Sequence, residues 1–188
     1  DFDRDGNLDL ASADFGGGMS VMIGNGDGTF VAPVSYAGGL YTTDITIGDF
    51  NGDSKEDVVV TNSCAGCFVP YNTGSVSFFS GNGDGTFAAS VNTATARGSV
   101  AIVSGDWNGD GVKDIAVAKP RHNLMSVLTG NGDGTFTLMP DYAAGLNPQG
   151  IAAGDVNQDG VSDILLANST DNTFSVYTGV AGGTFNAY

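Results

Sequence analysis

DWNGDGVKD, residues 106–114, is the stretch whose reading decides the fold. Three related stretches stand in the same chain: DFDRDGNLD at 1–9, DFNGDSKED at 49–57 and DVNQDGVSD at 155–163. Every copy has Asp at its first, fifth and ninth positions and Asp or Asn at its third. Their starts are 48, 57 and 49 residues apart, so the unit is 49 residues or so, with an insertion in the second copy.

Oxygen-bearing side chains at alternate positions of a tight loop can converge on one hard cation. Calcium accepts about 6–8 oxygens and tolerates irregular geometry. The expected side-chain ligands are Asp1, Asp3, Asp5 and Asp9 in the first loop, and Asp49, Asn51, Asp53 and Asp57 in the second. In the third they are Asp106, Asn108, Asp110 and Asp114, and in the fourth Asp155, Asn157, Asp159 and Asp163. Backbone carbonyls at the seventh position (Asn7, Lys55, Val112, Val161) and water are expected to complete each shell, with one Ca²⁺ per loop, about four in all. Gly at the sixth position allows the sharp turn in three copies, and Ser54 replaces it in the second. Magnesium fits less well because it demands near-octahedral geometry and keeps its waters. Zinc lacks Cys or His in the loops. The bland alternative is that the loops are Asx-rich turns only.

An EF-hand is excluded by the twelfth position, which needs a bidentate Glu and here holds Ser12, Val60, Val117 and Leu166. The residues that follow the loops (LDLASA, DVVVTN, DIAVAK, DILLAN) are short runs, mostly apolar and β-branched, which predict buried strands rather than helices. Thirteen of the 21 acidic residues occupy ligand positions of the loops. The formal charge of −15 is therefore mostly local ligand chemistry, and four divalent cations would bring it to −7.

A second motif, GNGDGTF, recurs at 24–30, 81–87 and 130–136, with a degenerate copy, GVAGGTF, at 179–185. Asn, Asp and Gly between extended runs predict a β-hairpin turn with positive φ. Its Phe is expected to pack between sheets in every unit. Each unit therefore reads as strand, acidic loop, strand, variable connection, strand, NGDG turn, strand. The expected fold is all-β: a β-propeller-type array of four blades of about 49 residues and four strands each. The blades are expected at 1–36, 43–92, 98–140 and 148–188 in one array spanning 1–188. The first lacks its innermost strand, because none precedes Asp1. From this an excerpt of a longer propeller, or a part completed by self-assembly, is expected.

Through DFNGDSKED, DWNGDGVKD and the three identical GNGDGTF copies, the chain resembles the FG-GAP/VCBS repeat family, the calcium-loop propellers that include the integrin α-subunit head. The resemblance spans essentially the whole chain. It implies a calcium ion on each acidic loop and an extracellular, secreted or cell-surface setting, but no single activity.

Cys64 and Cys67 fall in the insertion, NSCAGCFVPYNTGS. A short-loop disulfide is the favoured reading in an oxidising compartment. A free pair comes next, and a redox motif lacks its strand-to-helix context. No apolar run approaches the ~18 residues of a membrane span.

Alternation of strand direction puts the acidic loops and NGDG turns on one face and the variable connections (14–19, 64–74, 119–123, 168–172) on the other. Binding is expected on the variable face. Its candidates are Tyr41; Phe68, Tyr71 and Asn72; His122 beside Arg121; and Tyr142 with Asn147. Aromatics beside amides suit a glycan, and rim packing is the competing reading for each. No nucleophile elbow, HExxH or phosphate loop is present, so no catalytic residue is assigned. Six basic residues against 21 acidic ones disfavour nucleic acid. The sequence supports a calcium-binding module for adhesion or for binding a glycan or protein. The alternative is the propeller region of a secreted polysaccharide-active enzyme.

Overall fold

The computed structural model describes residues 1–63, 74–95 and 98–187. Cys64, Cys67, Phe68, Tyr71 and Asn72 lie outside them. The described residues form four antiparallel sheets in chain order. The first holds β1 (Leu10–Ala13), β2 (Met19–Met22) and β3 (Val34–Tyr36). The second holds β4 (Thr42–Gly48), β5 (Asp57–Asn62), β6 (Ser75–Phe79) and β7 (Val91–Ala94). The third holds β8 (Ala101–Gly105), β9 (Asp114–Lys119), β10 (Leu124–Gly130) and β11 (Phe136–Leu138), with β12 (Tyr142–Ala143) added. The fourth holds β13 (Pro148–Gly154), β14 (Asp163–Asn168), β15 (Thr173–Val180) and β16 (Thr184–Ala187). A 3₁₀ turn, Pro120–His122, follows β9. Among the described residues, no helix is long and apolar enough to cross a membrane.

Chain order is also spatial order within each sheet, as hairpin-linked strands require. The first sheet has three strands and lacks a counterpart of β4, β8 and β13, as the sequence predicts. The extra strand β12 was not expected. It pairs with β10 through Met125↔Tyr142 and Leu124↔Ala143, whereas β11 covers only Leu128–Gly130. The edge of β10 left open by the short β11 is thus closed by the chain itself.

The strands after the acidic loops carry the core. All six residues of β5 and of β9 are buried. Both faces of these strands are covered by a neighbouring sheet, which is why their sequences read as continuous apolar runs instead of alternating. Val58 and Val60 pack toward the first sheet with Phe2, Met19 and Val21. Val59 packs toward the third with Ile115, Val117 and Leu128. Ala116 and Ala118 then meet Ile164, Leu166 and Tyr177 of the fourth. Hydrogen bonds also cross between sheets: Ile102 N–H donates to Asp44 Oδ2 at 2.9 Å, and the Thr46 and Ser104 hydroxyls lie 2.8 Å apart.

A polar clamp repeats at the far end of these strands. Asn62 Nδ2 donates to Ser77 Oγ at 2.8 Å, and Asn168 Nδ2 to Ser175 Oγ at 3.0 Å. In the first sheet the Ser20 hydroxyl donates to Asp14 at 2.6 Å. The third sheet substitutes a buried Lys119, whose ammonium lies 3.0 Å from Asp141 Oδ1, and the Ser126 hydroxyl donates to the same carboxylate. Partners satisfy the buried Asn62 amide nitrogen and the Lys119 ammonium, as burial of polar atoms demands, whereas Asn168 bonds through its Nδ2 alone.

Candidate metal centre

Each acidic loop is folded by its own carboxylates. In the third, Asp106 Oδ1 accepts the Gly109 N–H at 2.8 Å and Oδ2 accepts the Gly111 N–H at 2.9 Å. Asn108 Oδ1 accepts the Asp110 N–H at 2.9 Å, and Asp110 Oδ1 accepts the Val112 N–H at 2.8 Å. The fourth loop repeats this through Asp155, Asn157 and Asp159, and the first through Asp1, Asp3 and Asp5. The second does so through Asp49, Asn51 and Asp53. The oxygens at positions one, three and five each accept N–H groups of their own loop.

Two backbone positions in every loop take positive φ. At the sixth these are Gly6, Ser54, Gly111 and Gly160, and at the fourth Arg4, Gly52, Gly109 and Gln158. The fourth position escapes sequence reading because Arg and Gln do not signal left-handed backbone. Ser54 adopts φ 61° where the other copies have Gly, so the second loop keeps the fold of its relatives.

The ninth Asp has a different task from the other three. Its two oxygens accept one N–H from the loop's second residue and one from the Gly that opens the second motif, just before the turn. Asp57 bonds Phe50 at 3.0 Å and Gly81 at 2.9 Å, and Asp114 bonds Trp107 at 3.1 Å and Gly130 at 2.9 Å. Asp163 bonds Val156 and Gly179, each at 2.8 Å, and Asp9 bonds Phe2 at 2.6 Å and Gly24 at 2.8 Å. The loop and the turn of a unit are thus tied together at one end of each sheet. Asp57, Asp114 and Asp163 are fully buried. Burial pushes the Asp57 and Asp114 carboxyls above the usual range, against the N–H bonds they accept and with the repulsion of the neighbouring loop carboxylates.

Asp5 is held below the usual range by the Asn7 N–H and side-chain amide. At Asp53 burial acts upward, but the Lys55 ammonium and N–H outweigh it and lower the carboxyl. Lys55 Nζ sits 2.9 Å from Asp53 Oδ2, so the second loop already holds a cation of its own.

The donor set fits a hard cation: oxygens from four side chains, with no sulfur or imidazole in any loop. In the first loop, oxygens of Asp1, Asp3 and Asp9 lie within 4.8 Å of one another. The other loops have Asn at the third position, and its amide oxygen accepts the fifth residue's N–H as Asp3 does in the first.

The Asp of the NGDG turns is not part of these clusters. Asp27, Asp84 and Asp133 accept the hydroxyl and N–H of Thr29, Thr86 and Thr135, and these bonds hold each carboxyl below the usual range. They close the turns.

The first three loops are also riveted to the following sheet. The aromatic at the loop's second position packs edge-on against the Phe of the next unit's turn. Phe2 meets Phe87 at 5.2 Å, Phe50 meets Phe136 at 5.8 Å and Trp107 meets Phe185 at 5.8 Å. Gly85 N–H donates to Phe2 O at 3.0 Å, and Gly134 N–H to Phe50 O at 3.3 Å. Phe30 and Val156 hold the corresponding places on the outer faces of the first and fourth sheets and are 39% and 54% exposed. The turn Phe is an inter-sheet anchor at Phe87, Phe136 and Phe185, as expected, but not at Phe30, which has no preceding sheet among the described residues to pack against; its aromatic partner in the acidic loop was not legible.

The aromatic and amide candidates divide. Tyr41 has φ 56°, accepts the Ser63 N–H through its carbonyl and packs on exposed Phe15 at 5.4 Å. Tyr142 belongs to the interior instead: its ring lies 6.0 Å from Tyr177 and 5.8 Å from Phe185, and its hydroxyl accepts the Phe185 N–H. His122 is half-buried in the 3₁₀ turn. Asn147 spans Asn123, Ser169 and Gln149 by hydrogen bonds and borders a pocket on the face away from the acidic loops.

The FG-GAP-like repeat model matches the chain at residues 1–60, 67–117 and 106–166. No curated protein matches it. Among solved structures, a functionally unknown protein from Desulfotomaculum acetoxidans DSM 771 superposes with a TM-score of 0.52 at 13% identity. The superposition covers 96% of this chain and 65% of that one, and it speaks for the fold alone. The matched stretches each contain the acidic loop that clamps a turn and rivets the next sheet, and on this ground the chain belongs to the FG-GAP-like repeat family.

Proposed function

We propose that this chain is a calcium-binding extracellular repeat module whose sheets are blades of a β-propeller and whose role is to bind a glycan or protein surface. The observation that carries the reading is the fourfold recurrence of the acidic loop with one internal hydrogen-bond pattern. The side chains at positions one, three, five and nine would hold the ion, with the seventh backbone carbonyl beside them. A divalent cation would supply charge that offsets the repulsion among these carboxylates and would fix the loop that carries the aromatic rivet. Weak extracellular calcium sites work at roughly 10⁻⁴–10⁻³ M, which suits a secreted or cell-surface protein.

Asp110→Ala tests this. The variant is expected to bind one calcium fewer and to gain less in melting temperature on adding calcium. Effects should stay mainly within the third unit, because repeat arrays couple chiefly to neighbours. An unchanged calcium response would contradict the assignment.

A further inference from the structure

The geometry points to a carboxylate-selective saccharide site in the pocket between the second, third and fourth sheets, on the face away from the acidic loops. It rests on the reading of the chain as a binding module and names its ligand class. The pocket encloses about 320 Å³ and is lined by Thr43, Ser63, Gly98, Val100, Pro120, Arg121, Asn147 and Gln149. Thr43 stands near the start of β4, Val100 just before β8 and Gln149 in β13. Ser63 and Arg121 follow the ends of β5 and β9. Strand direction therefore places all of them at the end of the sheets opposite the acidic loops.

Three features set the chemistry. First, Arg121 is exposed and has no hydrogen-bond or ion-pair partner among the described residues. Arg4, Lys55 and Lys119 are each engaged, with Ser54 O, Asp53 and Asp141. A guanidinium presents a planar fork that matches a carboxylate in two parallel hydrogen bonds. Asp44, next to Thr43, does not compete for it, since its oxygens accept the N–H groups of Ile45 and Ile102 at 2.9 Å each.

Second, the rim is neutral and polar. Gln149 Nε2 is fixed by Asn147 Oδ1 at 3.0 Å, and Asn147 Nδ2 by Ser169 Oγ at 2.7 Å. The amides are thereby held in place, which favours recognition of a rigid polyhydroxylated ring over a mobile chain. Third, Val100 and Pro120 give an apolar wall on which a sugar ring can rest. Gly98 leaves open space where a side chain would stand, with no described atom within 4 Å of an added Cβ. The size is at the lower end for small-ligand pockets, about 300–1,000 Å³.

The test uses the full chain with methyl glucuronide and methyl glucoside, which differ at the carboxylate, titrated by NMR with and without calcium. Acetyl-aspartate amide serves as an acidic peptide probe. The glucuronide is expected to bind, and the glucoside to bind about ten- to hundredfold more weakly. R121Q should lose that margin, and G98L should block the pocket for both sugars. Retained cooperative melting in both variants reports an intact fold. Equal binding of the two sugars, unaltered binding by R121Q, or no binding at all would overturn the proposal, and equal or tighter binding of the peptide probe would overturn its saccharide assignment. Because the titration is also read without calcium, a failure of the loops to bind metal is seen separately from a failure of this pocket.

Discussion

Asp57 accepts the Gly81 N–H at 2.9 Å while entirely buried, joining the acidic loop of the second unit to its NGDG turn. Asp114 and Gly130 stand in the same relation in the third unit. The ninth Asp is therefore a structural clamp whether or not it also ligates a cation. Asp114→Ala leaves two buried N–H groups without their acceptor and is expected to cost about 2–4 kcal/mol in chelator. Asp110→Ala, at an exposed site, is expected to cost about 1 kcal/mol or less under the same conditions. Denaturant unfolding of both variants without calcium checks the contrast.

The rivet between sheets gives a second contrast. Phe136 is 8% exposed against Phe50, whereas Phe30 at the homologous position is 39% exposed. Phe136→Ala is expected to destabilise by about 3–5 kcal/mol and Phe30→Ala by about 1 kcal/mol. Equal losses would show that the contacts at Phe136 contribute little. Thermal melting of the two variants decides this.

The sequence disclosed the strand order, the shared end of loop and turn, and the inter-sheet role of the turn Phe in every unit but the first, where Phe30 is exposed, because loop and turn repeat in register and strands after the loops are unbroken apolar runs. It hid the aromatic partner at the loop's second position, since Phe2, Phe50, Trp107 and Val156 lie between the oxygen-bearing positions that define the motif and vary among the copies. It also hid the double duty of the ninth Asp, which depends on a Gly 15 to 24 residues further on. Tyr142 reads as a rim aromatic but is drawn inward by the unforeseen pairing of β12 with β10.

The second loop carries its own competitor. On the proposed calcium reading, an ion entering there would have to displace Lys55 from Asp53. Lys55→Val, the residue found at this position in the third and fourth loops, is expected to tighten the weakest calcium step. Because the pair is exposed, a severalfold change is expected, about 1 kcal/mol or less. Stepwise calcium titration of the variant against the parent chain measures it.

Acid has opposing effects on the metal-free chain. The raised carboxyls of Asp57 and Asp114 take up protons in the folded state before the unfolded chain does. Each therefore adds stability as pH falls through its folded pKa, and the gain is complete below 3.8. Asp27, Asp84 and Asp133 act the other way: their contribution is present above 3.8 and is lost as pH falls through their lowered folded values. Melting in chelator is expected to hold or rise as pH falls toward 3.8 and to decline below it. Protons also compete with a bound cation, so the gain from calcium should fade as pH approaches 3.8. Melting curves from neutral to acid pH, with calcium and with chelator, test both signs.

The most direct test of the account is a calorimetric calcium titration of the chelator-stripped chain, with melting followed at each step. Binding of about four ions, one per acidic loop, with a large rise in melting temperature is the expected result. No heat of binding, and melting indifferent to calcium and chelator, would reduce the loops to hydrogen-bonded turns and contradict the central claim.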